Sequence, residues 1–160
     1  MKPLAIVLII LVLAAVVGVG YLYLNAKLDI TFRECIATDG MTQTEFFDAL
    51  KDKVNASAFV GTRYTNDDLT TADQYQFLTY TVRLKNHAFL KAEIIEIRIT
   101  PMQGDILQIG EETAHDLPSG QQMDLSATIL TGRGAHSVRE ATVSCYFWGI
   151  PFSTKLTLGK

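Results

Sequence analysis

The chain has 160 residues, 48% of them apolar, and a formal net charge of −3. Setting aside an apolar N-terminal stretch leaves about 134 residues, enough for one domain with a real core and a weak case for two. Every acidic residue lies beyond Leu28 and every basic one except Lys2 beyond Ala26, so this remainder carries 13 − 17 = −4 without a Lys/Arg cluster, which argues against nucleic acid and against binding anionic lipid through the domain.

Leu4 to Leu24 contains no charge. A helix of that length spans roughly 31 Å, close to the hydrocarbon thickness of a bilayer. Tyr21 and Tyr23 fall at its end, where aromatic rings favour the membrane interface, and Lys2 and Lys27 bracket it. A cleaved signal peptide is the rival reading, with Gly18-Val19-Gly20 offering small residues for cleavage. The apolar run continues past them to Leu24, which favours a retained anchor. Few basic residues flank the segment, so the charge rule does not decide orientation. An anchor so near the start favours a short cytoplasmic tail with the domain exported. Ala14 and Gly18 form a small-xxx-small pair that permits close helix packing, although small residues are common in such helices generally. The expected division is a tail and anchor over 1–26 and an extracytoplasmic domain over 27–160.

Leu28 to Arg33 alternates as a strand with Leu28, Ile30 and Phe32 inward, and Asp39-Gly40 supplies turn chemistry. Thr42 and Glu45 have capping-box spacing, and Phe46, Phe47, Leu50 and Val54 give an apolar helical face over about 43–54. Asn55-Ala56-Ser57 matches a glycosylation acceptor, a short pattern that recurs by chance. A short strand over 59–64 and a polar loop over 65–73 lead into a β-rich half. There Leu78, Tyr80, Val82 and Leu84 share one face, as do Ile95, Ile97 and Ile99. So do Met123, Leu125, Ala127 and Ile129, and later Ala141, Val143, Cys145 and Phe147. Asp105–Ile109 reads as a short strand, Leu117–Gly120 as a turn, Gly149-Ile150-Pro151 as a break, and 153–158 as a last strand. Seven or eight strands with one early helix predict a mostly β chain: an N-terminal transmembrane helix plus one immunoglobulin- or fibronectin-like antiparallel sandwich.

Val82-Arg83-Leu84-Lys85-Asn86, the Ile95–Ile99 strand, Gly104-Asp105-Ile106-Leu107 and Leu117-Pro118-Ser119-Gly120-Gln121 follow one another between about Tyr80 and Thr131. This order resembles the β-sandwich of type 2 late embryogenesis abundant proteins. The resemblance covers about a third of the chain, and His87 stands where that family often has Pro. It implies a fibronectin-like fold without an enzymatic site; the family's protective role in desiccation is not carried over.

Cys35 and Cys145 are the only cysteines. In an oxidising compartment they have the option of a long-loop disulfide; otherwise they are two buried thiols. Strict alternation from Leu28 puts Cys35 on the polar face unless a bulge near Glu34 intervenes. His87, His115 and His136 are isolated in sequence. Glu111, Glu112, His115 and Asp116 form an acidic loop with one imidazole, and Asn66, Asp67, Asp68 and Asp73 another oxygen-rich loop. Neither has the spacing of a known metal site. There is no Gly-x-Ser-x-Gly, no phosphate-cradling glycine loop, and no cysteine with an evident base. No enzyme activity, cofactor or metal is expected. Phe147 to Phe152 is the most apolar run outside the anchor and holds the only Trp. It reads first as a core strand entering a buried turn, and second as a partner contact through Trp148, Ile150 and Phe152.

The expected function is a non-enzymatic, membrane-anchored sandwich that binds or organises envelope or cell-surface components. It meets the bilayer through residues 4–24 and a protein partner elsewhere. The alternatives are a structural subunit assembled through Ala14 and Gly18, and a hydrolase or metal protein with a site built from dispersed residues.

Overall fold

The computed structural model describes residues 2–110 and 114–159. Helix α1 runs Lys2–Asn25, and its side chains from Pro3 onward are almost all exposed. A helix that is apolar all round and meets its own chain only near its end is unsuited to water. Ala26 and Lys27 then lead straight into strand β1, Leu28–Asp39. Both Ala26 and Leu28 are already buried in the sandwich core.

Beyond β1 come helix α2 (Thr44–Asn55) and strands β2 (Gly61–Arg63), β3 (Tyr75–Asn86), β4 (Ala92–Ile99) and β5 (Asp105–Ile109). Strands β6 (His115–Leu117), β7 (Gln122–Gly132), β8 (Arg139–Phe147) and β9 (Ile150–Leu158) complete the described chain. They form two antiparallel sheets, ordered β1-β3-β7-β5-β2 and β6-β4-β8-β9. The alternating apolar sets of β3, β4, β7 and β8 point between the sheets, as their period of two requires. The outer face of the first sheet is divided. Towards one end it carries a polar ladder, with Thr79 facing Thr128, Thr81 facing Ser126, and Arg83 bidentate to Asp124 at 2.6 and 2.8 Å. Towards the other end α2 covers it, burying Phe47, Leu50 and Val54 against Phe77, Leu107 and Leu130.

Four local expectations change. A register shift between Ile30 and Phe32 reverses the alternation of β1. Phe32 therefore turns outward, 44% exposed, beneath the Arg83 guanidinium, and Cys35 turns inward against the core. The capping box at Thr42 does not form. Asp39 instead caps a 3-10 turn over Gly40–Gln43, accepting from the Met41 N–H, and that turn feeds directly into α2. Gly149-Ile150-Pro151 does not break the chain, because β8 and β9 join in a tight hairpin pairing Phe147 with Ile150. Pro151 is tolerated because β9 is an edge strand. Finally, His115–Leu117 is a short strand on β4 rather than loop.

Candidate functional surfaces

Strand directions sort the loops. β1 starts beside α1, and Leu28 pairs with Asn86 at the end of β3. The β3–β4 turn therefore lies at the anchor end. So does the β8–β9 hairpin, whose Phe152 ring lies 5.1 Å from the ring of Tyr23 in α1. Phe152 also meets Phe147 edge-on at 5.4 Å, so it belongs to the junction between helix and sandwich.

Trp148 is not in the core: it is 73% exposed at the hairpin tip. Trp148 and Gly149 both have positive φ, 56° and 76°, the conformation of a type I′ two-residue turn. Gly adopts this freely, but a bulky aromatic there is strained. Replacing Trp148 by Asn, which suits that turn position, is expected to raise thermal stability by about 1 kcal/mol. Calorimetry of the full chain checks this, and an unchanged or lower midpoint would contradict the strain.

The β3–β4 turn carries Phe89, 83% exposed. It is held from below by Asn86, which is fully buried. The Asn86 amide donates to the carbonyls of Leu90 and Leu117 at 2.8 and 2.9 Å and accepts from the Ala88 N–H at 2.9 Å. Asn86→Ala leaves those three groups without their partner and is expected to cost about 3 kcal/mol. Chemical denaturation reads it, and a loss below about 1 kcal/mol would show that the clamp carries no weight. Around the turn the charges pair with one another: Lys91 with Asp116 and Glu93 at 2.8 and 3.1 Å, and Lys27 with Asp29 at 4.0 Å, while the His87 ring lies 3.4 Å from Asp29.

At the opposite end a charged pair is buried. Arg139 of β8 grips Asp105 of β5 through two hydrogen bonds of 2.7 and 2.9 Å, and also donates to the carbonyls of His136 and Val138. The Met102 N–H gives Asp105 a further bond at 2.8 Å. Burial alone would raise the Asp105 carboxyl, but these bonds hold it below the usual carboxylate range. Tyr80 hydrogen-bonds the Ser137 carbonyl beside them. This polar plug closes the sandwich at the end away from the anchor.

Cys35 and Cys145 are free thiols. The bridge allowed by the sequence is not formed, because the two lie towards opposite ends of the sandwich. Cys145 lines a cleft with Ala26, Leu28 and Ile30, whereas Cys35 is seven residues up β1 from Leu28, roughly 23 Å. A disulfide needs Cα atoms within about 7 Å. Burial raises both thiols, Cys145 to about 11, and outweighs the hydrogen bonding with Tyr80 and the nearby charge of Arg139 at Cys35. Alkylation of the denatured chain without reductant is therefore expected to give two adducts by mass. Zero adducts would show a bridge.

A groove of about 290 Å³ opens between the sheets at the β2–β6 side. Gln108 spans its floor, donating to the Ile97 carbonyl and accepting from the Ile99 N–H and the Tyr64 hydroxyl. His115 lines this groove, but Asp116 turns away to Lys91 and the Ile94 N–H. Glu111 and Glu112 lie outside the described residues. Asn66, Asp67, Asp68 and Asp73 are exposed on their loop. Among the described residues no three His, Cys, Asp or Glu side chains are placed to hold a metal.

Along α1, Ile10, Leu13, Ala14, Val17, Gly18 and Tyr21 border a shallow apolar groove, and nothing lies within 4 Å of where a Gly18 side chain would begin. Compared with known proteins, the chain matches no family model and no curated protein.

Proposed function

We propose that this chain is a single-pass, non-enzymatic module whose sandwich is held at the membrane surface on the extracytoplasmic side, where it binds or organises envelope or cell-surface components. The observation that carries this reading is the junction. An apolar helix of spanning length passes into β1 through two residues, one of them in the core, and packs Tyr23 on Phe152. A flexible tether would let a domain search for partners. A junction this short instead presents the sandwich in one pose, which suits positioning. The resemblance to the type 2 late embryogenesis abundant sandwich supports a role without catalysis.

The test is affinity isolation of the full chain from solubilised membranes, beside a chain with a flexible Gly-Ser insertion between Ala26 and Lys27. The native chain is expected to retain partners that the lengthened chain loses while both stay in the membrane fraction. Identical co-isolated sets in both, or none beyond those of the helix alone, would defeat the positioning role.

A structural subunit assembled through its helix is the second reading, favoured by the groove at Ala14 and Gly18. Gly18→Leu fills that groove. If helix packing drives assembly, the variant should run as a smaller species in mild detergent; an unchanged size would remove this reading.

A further inference from the structure

We propose that the anchor end of the sandwich is itself a membrane-binding surface, with Trp148, Ile150 and Phe89 seated in the interfacial layer of the bilayer that α1 crosses. This rests on the anchored reading above and adds a second point of contact, made by the folded domain.

Three independent features converge on it. The first is position. Phe152 touches Tyr23, a residue of the helix end that the interface would hold. From Phe152 the hairpin runs away from the sandwich for two further strand residues, on the order of 7 Å, before it reaches the tip. Trp148 is therefore carried to the level of the anchor's aromatic residues or past it. The second is presentation. Phe89 and Trp148 are among the most exposed large apolar side chains outside the anchor, and Ile150 is exposed beside Trp148. Neither loop is slack: the Asn86 clamp fixes one turn and the hairpin pairing fixes the other. A Trp held exposed in a left-handed backbone conformation is a position where folding stability has been given up. The third is charge. Lys27 and Lys91 lie beside Asp29, Glu93 and Asp116 at this end, so among the described residues no free basic cluster awaits anionic headgroups. The occupant that fits is the apolar and dipolar interface of a neutral bilayer, which Trp favours.

Trp148 is the only Trp in the chain, so its fluorescence reports directly. The full chain is reconstituted into phosphatidylcholine vesicles, with a second variant, L13W in a W148F background, reporting the helix centre. Trp148 is expected to lose emission to phosphatidylcholine brominated near the top of its acyl chains and to be shielded from iodide, independently of salt. Phe89→Ser is expected to weaken that quenching. Trp148 left open to iodide and unquenched, while the Leu13→Trp reporter is quenched by deeply brominated lipid, overturns the docking and leaves the anchor intact. Quenching at neither position overturns the anchored reading and the docking with it. Shielding from iodide without quenching by brominated lipid means that a protein surface covers the tip, which also overturns the proposal.

Discussion

Arg139→Met is expected to cost about 3–5 kcal/mol of folding stability, because it strands the Asp105 carboxylate in a site that is 1% exposed. For a domain of this size that lowers the melting midpoint by roughly 10–20 °C. Asp105→Asn alone is expected to fall in the same direction, since it leaves Arg139 charged and unpaired. The double variant Arg139→Met with Asp105→Leu is expected to recover most of the loss, because two apolar side chains need neither solvent nor partner. The pH dependence distinguishes the states. In the native chain the folded carboxyl lies below its ordinary value. Its contribution is therefore full above the unfolded value of about 4 and is lost as pH falls from there through the folded value. In Arg139→Met burial, the largest influence on this carboxyl, is opposed mainly by the Met102 N–H, and the folded carboxyl rises. Its destabilisation should then shrink as pH falls towards the unfolded value. A deficit that stays constant from neutral to acid pH would show that Asp105 is not the source of the cost.

A second large effect is expected in the anchor. Val12→Arg with Val16→Arg places two guanidiniums near the middle of α1, each costing about 2.5–3.5 kcal/mol of insertion free energy. The helix meets the sandwich only near its end, so the domain should melt where the native chain does. Vesicle flotation after an alkaline wash separates the outcomes. The native chain is expected to float and the variant to remain in the soluble fraction. A variant that floats like the native chain would mean that something other than α1 holds the protein to lipid.

The sandwich was largely legible because its central strands bury one face and wet the other. Leu78, Tyr80, Val82 and Leu84 could sit on only one side of β3, and the same holds for β4, β7 and β8. Edges were harder, because an edge strand has one neighbour and tolerates irregularity. The shift near Thr31 moved Phe32 outward, and Pro151 entered β9 where a central strand would have refused it. Strands of three residues, β2 and β6, are too short to show a period.

The surfaces were less legible than the core. Trp148 sits in an apolar run that resembles core, and only the positive φ of the turn turns it out. The Trp148-Gly149 pair was available as a hairpin signal, though Trp is a poor residue for that turn. Phe89 gave no warning, since its exposure depends on a clamp from Asn86 to Leu117, 31 residues further on. The Arg139–Asp105 pair likewise joins residues 34 apart in sequence, each of which alone looks like surface.

In the proposed topology α1 crosses a membrane and holds the sandwich beyond it. The most direct measurement places a thiol on the exposed face of α2 by Asp52→Cys, far from the anchor, and treats intact cells with a membrane-impermeant thiol reagent. The native chain, whose thiols are half-buried and buried, serves as the control. Labelling of the variant, above that control, is expected without breaching the membrane. Labelling only after the membrane is opened would put the sandwich in the cytoplasm and contradict it.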